Sequence, residues 1–395
     1  MATETSRFMI HRHAVGMLLV LLLALARSSA AAAEPEPPAG TKDAKEKEGE
    51  AKTAAKKADG DNDNDDGDDD DGPRLRLSPG IEVFAGAAAL IVVDAEDDWQ
   101  PEFVLSRAFL WLDASYERAR ARVTLESVYS TSGASLLGVG GNSIVLRLRE
   151  AWVAYNPWDF LEFQVGLVKT LAHPYVEDSW RLRVVDRVGI ERQALAPPSD
   201  LGIVVRGHLP GGYGTLAIGA YNGDGYMMRE LNRDKNIEFT ASIHPLADIQ
   251  GAEPFNVLLS YTLGTEGASS SRANRLHAGL LWDGKRIGAG ATFTWVWGLD
   301  GLGDREGYLI SGFLRGEPVD NLLLAFSGSH FRRDVDFAAA SISTVMGAVG
   351  YRFIDPLSLF LSVDRQFAAS AAKAANPGAD VWTIALTAKA FFHVQ

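Results

Sequence analysis

The chain has 395 residues, 47% hydrophobic and 23% charged, with 39 glycines and no cysteine. Lack of cysteine excludes a disulfide framework, a thiolate metal site and a cysteine nucleophile, and the length fits two or three ordinary domains or one large β-barrel. The formal charge of −13 is uneven: residues 1–33 hold three Arg against one Glu (about +2), residues 34–72 six Lys against fifteen acids (about −9), leaving about −6 for the rest, so the net figure says little about what the main domain binds.

Residues 1–33 read as a secretory signal peptide. Arg7 and Arg12 precede the apolar run Gly16–Ala26, and Ala31 and Ala33 fit a small-residue cleavage site. The run is too short to span a bilayer, which takes about 20 residues, and this argues against a retained anchor. Residues 34–74 read as a disordered acidic periplasmic linker, because apolar side chains other than alanine are nearly absent from 34–72 and chain entropy goes unopposed. Asn62–Gly67 approaches a calcium loop, but its twelfth position is Pro73 where glutamate is needed. A solvated linker is the favoured reading and loose calcium binding the lesser one.

From residue 75 to 395 the hydrophobicity alternates with period two. In Ser358–Val363, Leu359, Leu361 and Val363 oppose Ser358, Phe360 and Ser362; Asn236–Ile243 and Val381–Ala390 behave alike. Sixteen such segments occur, near 80–93, 101–114, 118–130, 145–156, 160–169, 200–209, 213–222, 234–244, 254–264, 272–282, 285–298, 306–316, 319–331, 341–353, 357–367 and 380–392. Short connections with tight-turn chemistry (156–160, LPGGYG, WDGKR, GEPVDN, IDPLS) alternate with long ones. An even strand number with short turns at one end and long loops at the other predicts an all-β fold, a 16-stranded antiparallel transmembrane β-barrel in an outer membrane. A soluble sandwich or propeller is the rival, but no repeat of 40–50 residues is visible. Trp111, Trp152, Trp158, Trp382, Phe391 and Phe392 fall near strand ends, which suits aromatic girdles or core positions alike.

Several patches resemble the phosphate-selective porins O and P, in that family's order: Arg149–Pro157, Phe163–Thr170 with its Gly166-x-x-Lys169 strand end, Val185–Arg187, Ser199–Gly202 and Ala220–Gly225. The resemblance spans residues 80–392, with its specific motifs in 145–245. It implies a trimeric 16-stranded porin whose third long loop, here about Tyr175–Pro197, folds into the barrel and narrows the channel. His173-Pro174-Tyr175 departs from the pattern, since the family places proline and an aromatic residue directly after the lysine.

The expected functional residues are cationic. In the third loop these are Arg181, Arg183, Arg187 and Arg192, with Arg181 and Arg183 turned to the water path and Leu182 and Val184 to the wall. On the strands, Arg120 and Arg122 share a face opposite Ala121 and Val123, and Arg147 and Arg149 oppose Leu146 and Leu148. A charge facing lipid costs about 2–4 kcal/mol at the midplane, so these rows belong in the lumen, where arginine and lysine favour anions. Guanidinium groups can clamp phosphate oxygens in a bidentate manner. Lys169 has the wrong parity for the lumen unless a bulge re-aims it. The plainer alternative is that the arginines pair with Glu126, Glu150, Asp113 or Asp186. The sequence therefore predicts passive diffusion of small anions, phosphate among them. A weakly selective general porin and a barrel anchoring a periplasmic partner through its acidic tail are the alternatives. No H-E-x-x-H or G-x-S-x-G motif is present, and no enzymatic activity, cofactor, metal or nucleic-acid partner is expected; the expected partners are membrane lipid, small anions and two further copies of the chain.

Overall fold

The computed structural model describes residues 74–92, 99–130, 143–227, 232–267, 270–299, 301–375 and 379–394. The expected signal peptide and nearly all of the expected acidic linker lie outside these residues. Sixteen strands close into one antiparallel barrel: β1 (Arg76–Val92), β2 (Trp99–Tyr116), β3 (Ala119–Ser130), β4 (Ser143–Trp158), β5 (Leu161–Lys169), β6 (Ser199–Leu209), β7 (Gly214–Tyr221), β8 (Asn236–Ile243), β9 (Phe255–Leu263), β10 (Asn274–Asp283), β11 (Ile287–Leu299), β12 (Leu302–Val319), β13 (Leu322–Arg332), β14 (Ser341–Ile354), β15 (Leu357–Ala368) and β16 (Val381–His393). Each strand pairs with its sequence neighbours, and β16 pairs back onto β1, with His393 opposite Gly80. Closure leaves no unpaired edge, which a sheet in hydrocarbon requires. A two-residue hairpin, Thr265–Glu266 with Ser271–Arg272, decorates the loop after β9.

The alternation resolves into two unlike surfaces. Outward positions such as Leu146, Val153, Ile203, Leu259, Ile310 and Phe326 are apolar and exposed, a surface fit for lipid chains. Inward positions are polar and pair across strands: Thr240 with Ser260, Thr292 with Ser311 and Ser329 with Thr344, each at 2.7 Å. The aromatic residues divide between the two surfaces. Trp158 and Trp382 are exposed on the outward parity, at opposite ends of their strands, as girdle residues are. Trp111 and Phe391 instead stack on each other beside an interior cavity, and Trp152 packs on the buried Val168 cluster.

The third long connection, between β5 and β6, carries two helices, α1 (Ala172–Trp180) and α2 (Gly189–Arg192). It lies inside the barrel. Val176, Trp180, Leu182, Val184, Val188, Ile190 and Leu195 form one apolar cluster with inward side chains of β9 to β15, among them Leu258, Leu281, Leu309 and Phe360. The main hydrophobic core is therefore in the lumen, mostly between the inserted segment and the β9–β15 wall, with Phe84 of β1 and Phe109 of β2 joining it.

Candidate functional site: the inserted segment and the lumen cations

The path into the lumen starts at Gly166. Its φ of +124° suits glycine, and a Cβ there would stand 2.2 Å from the Ala151 carbonyl oxygen. β5 keeps its register with β6 through Lys169, and Lys169 nonetheless lines the interior cavity with Glu150, Glu177 and Asp178. At the start of α1 no side chain of its own caps the helix. Glu238 on β8 does so from the wall, accepting the N–H groups of Leu171 at 2.9 Å and Ala172 at 3.0 Å and the Ser260 hydroxyl at 2.9 Å. The helix ends at Arg181 in the left-handed region (φ 58°), whose N–H reaches the Glu177 carbonyl at 2.8 Å.

The segment then leans on the β9–β15 side. Trp180 is 1% exposed, donates its indole N–H to the Asp186 carbonyl at 2.8 Å and meets Phe313 with ring centres 5.4 Å apart. Asp186 accepts from Ser327 on β13 at 2.7 Å, and Arg192 reaches Asp364 on β15 at 2.9 Å and Asp186 at 2.5 Å. Burial pushes the Asp186 carboxyl above the ordinary aspartate range, and the Arg192 and Ser327 contacts only partly offset this.

Toward β2, β3 and β4 the segment presents charge. Arg183 is bound by Glu177 at 2.5 Å and by Glu191; Arg149 lies 3.5 Å from Glu126 and 3.8 Å from Glu177; Arg107 pairs with Glu126 and stands 3.7 Å from Glu191. His173 lies between Glu177 and Glu191 at 3.4 and 2.9 Å. Burial works against the Glu177 charge, but His173, Arg183, Arg149 and Lys169 outweigh it and hold its pKa at about 2. Glu191 is depressed in the same way, and Arg183 is held above the usual arginine range because its two glutamates overcome burial. Three arginines thus meet three glutamates, and the network is balanced in charge.

This corrects the expectation of an open arginine ladder. The strand arginines do face inward, with Val123 and Leu146 outward, yet Arg122 is clamped by Asp113 at 2.5 and 2.7 Å and Arg120 pairs with Glu162. Arg149 and Glu150 both turn inward because the β3–β4 register shifts between Thr124 and Leu125. Arg181 and Arg183 do not point together. Arg183 is buried in the network, while Arg181 stays half-exposed at 2.6 Å from Asp283; Leu182 and Val184 pack in the core as expected. Arg181, Arg183, Arg192, Arg120, Arg122 and Arg149 therefore all have carboxylate partners. Arg187, Arg147 and Lys169 have none within 4 Å among the described residues; Arg187 is exposed and Arg147 lies 5.9 Å from the Tyr226 ring centre.

The inserted segment borders three water-accessible spaces. One of about 590 Å³ runs past Lys169, Arg181 and Asp283. A second, of about 300 Å³ at the short-turn end, is lined by Arg181, Lys285, Arg286, Arg315, Arg352 and Lys389 against Glu317 and Asp355. A third, of about 420 Å³, lies between Arg187 and β6 to β11. Sequence reasoning missed Arg315, which shares Asp283 with Arg181 at 2.6 Å, and Arg107. Parity carried both: Arg315 alternates with Leu314, and Arg107 falls in step with Phe109, Trp111 and Asp113.

No family model matches the chain, and no curated protein is detectably similar to it in sequence. Solved structures are similar in fold. An anion-selective porin from Comamonas acidovorans superposes with a TM-score of 0.59 at 10% identity, over 81% of this chain and 100% of its own. OmpF of Salmonella typhi, in complex with daunomycin, gives 0.56 at 12% identity over 82% and 99%. A loop L8 deletion mutant of OmpT, an outer membrane protein of Vibrio cholerae, gives 0.54 at 10% identity over 82% and 100%. The fold is that of the outer-membrane porin barrels.

Proposed function

We propose that this chain is a porin of a Gram-negative outer membrane, passing small hydrophilic solutes passively with a modest preference for anions. The lipid-facing apolar surface, the polar lumen and the likeness in fold to porins support the channel. One observation carries the sign of selectivity: among the described residues Arg187, Arg147 and Lys169 have no carboxylate within 4 Å, whereas the other six expected cations are paired locally. Unpaired cations beside a narrow water path raise the local anion concentration. The half-exposed Arg181 and the basic space at the short-turn end add to this, since one carboxylate, Asp283, serves both Arg181 and Arg315.

The finer expectations stay part of this proposal. Residues 1–33 act as an export signal, 34–74 as a periplasmic linker, and the barrel assembles as a trimer. Phosphate is among the permeant anions, as the Gly166-x-x-Lys169 and Val185–Arg187 patches suggest. The test is the reversal potential of the purified protein in a planar bilayer under a potassium chloride gradient, repeated with phosphate. A potential of the anion-preferring sign, with chloride current reduced by phosphate, supports the reading. A potential near zero leaves a general porin.

A further inference from the structure

We propose that the 420 Å³ space between the inserted segment and β6 to β11 is a docking subsite for neutral, hydroxyl-rich solutes of the sugar class. The inference stands apart from the anion preference, because it rests on uncharged groups of the β7, β9 and β10 side, across the same space from Arg187. Arg107, Arg187, Arg192 and Arg275 line this space against Glu191, Asp200, Asp224, Glu238 and Glu266, so neither sign dominates. The carboxylates are engaged within the protein. Glu238 caps α1, Glu191 holds Arg183 and His173, and Asp200 accepts from the Leu201 and Gly223 N–H groups at 2.7 Å each. Glu266 accepts from Gly301 N–H at 2.7 Å, and Asp224 also has a partner.

Opposite the exposed Arg187, three uncharged groups remain open. The Tyr221 hydroxyl, the Thr265 hydroxyl and His277 Nε2 have no hydrogen-bond partner among the described residues, and all three residues line this one space. Tyr221 is 3% exposed and His277 4% exposed. His277 is oriented by its other nitrogen, 2.8 Å from the Thr294 hydroxyl. The Tyr221 hydroxyl is set by a close approach to the wall: a Cβ on Gly219 would stand 2.3 Å from it, so only glycine admits the ring there. Buried polar groups left without partners cost about 1–3 kcal/mol each, and a solute that supplies partners recovers part of that. Leu195, Pro197 and Pro198 supply an apolar border from the inserted segment, suited to the C–H face of a sugar ring. The volume lies in the range of small-molecule sites.

The experiment uses the full-length protein in planar bilayers, with sucrose as probe and a polyethylene glycol of equal hydrodynamic size as comparator. Each is added from the long-loop side, and transient block of chloride current is read against the change in bulk conductivity. Sucrose is expected to half-block at a concentration at least about tenfold below that of the glycol, because the sugar offers hydroxyl donors all round its rings and the glycol only at its two ends. Tyr221→Phe, which removes a single oxygen, is expected to raise the sucrose half-blocking concentration several-fold and leave the glycol value where it was. Equal block by sucrose and glycol overturns the proposal, as does a Tyr221→Phe protein that responds to sucrose like the parent. Neither outcome depends on the sign of the reversal potential.

Discussion

The two sides of the lumen treat the inserted segment differently. Against β9–β15 it is held as a protein core holds a helix, by Trp180, Leu182, Val184 and Ile190 in contact with Leu258, Leu281 and Leu309. Against β2–β4 it is held by charge, through Arg107, Arg149 and Arg183 with Glu126, Glu177 and Glu191. The apolar side fixes where the segment sits, since dispersion and burial act only at close packing. The charged side can be wet, and its pairing sets how much field a passing ion meets. The lesson is that counting arginines overstates selectivity, because a cation beside its own carboxylate contributes little field beyond a few ångströms.

Breaking the apolar side should have the largest effect. Trp180→Ala is expected to cost about 3–5 kcal/mol of docking, as large-to-small core substitutions do, and to raise single-channel conductance severalfold as the segment loosens; unchanged conductance would show that the charged side suffices. On the opposite side, Glu126→Leu removes the nearer carboxylate of Arg107 and Arg149, leaving each a single partner, at 3.7 and 3.8 Å, and is expected to cost about 3 kcal/mol, read as a lower midpoint of thermal unfolding in detergent. Acid tests the same side reversibly. Glu177 is depressed from the ordinary glutamate value of 4.5 to about 2, so its contribution is whole above about pH 4.5 and is lost as pH falls toward 2. Asp178 and Asp186 are raised by burial and take up protons first. Current noise should therefore grow as pH falls from 4.5 toward about 2, with any earlier rise coming from Asp178 and Asp186; no growth down to about pH 2 would show that the charged side does not hold the segment. The smallest effect sharpens the comparison. Arg187→Gln is expected to lower the anion-to-cation permeability ratio by about twofold, the order of one poorly screened unit charge. Deleting the Arg122–Asp113 pair together, as Arg122→Gln with Asp113→Asn, should leave that ratio where it was, and a fall as large as that of Arg187→Gln would restore the ladder.

The barrel was legible from sequence because period-two alternation is a one-dimensional signal, and each of the sixteen expected segments overlaps one observed strand. Facing was legible too, as Arg120, Arg122 and Arg147 show. Pairing was not. Arg183 meets Glu177 and Glu191 only after α1 and α2 fold back on each other, and Arg192 meets Asp364 across 172 residues of sequence. Parity alone turned Lys169 outward unless a bulge re-aimed it, yet it lines the interior cavity with β5 in unbroken register with β6. Glu238 looked like an ordinary polar strand residue, since its role as a helix cap depends on where a distant segment arrives.

Arg181 sits at a backbone angle that favours glycine, a conformation costing an L-residue roughly 1 kcal/mol. Arg181→Gly would relieve that strain while deleting a charge that borders two of the lumen spaces. Selection for heat resistance and selection for ion flux would therefore pull this codon in opposite directions, and the residue found there records which pressure prevailed.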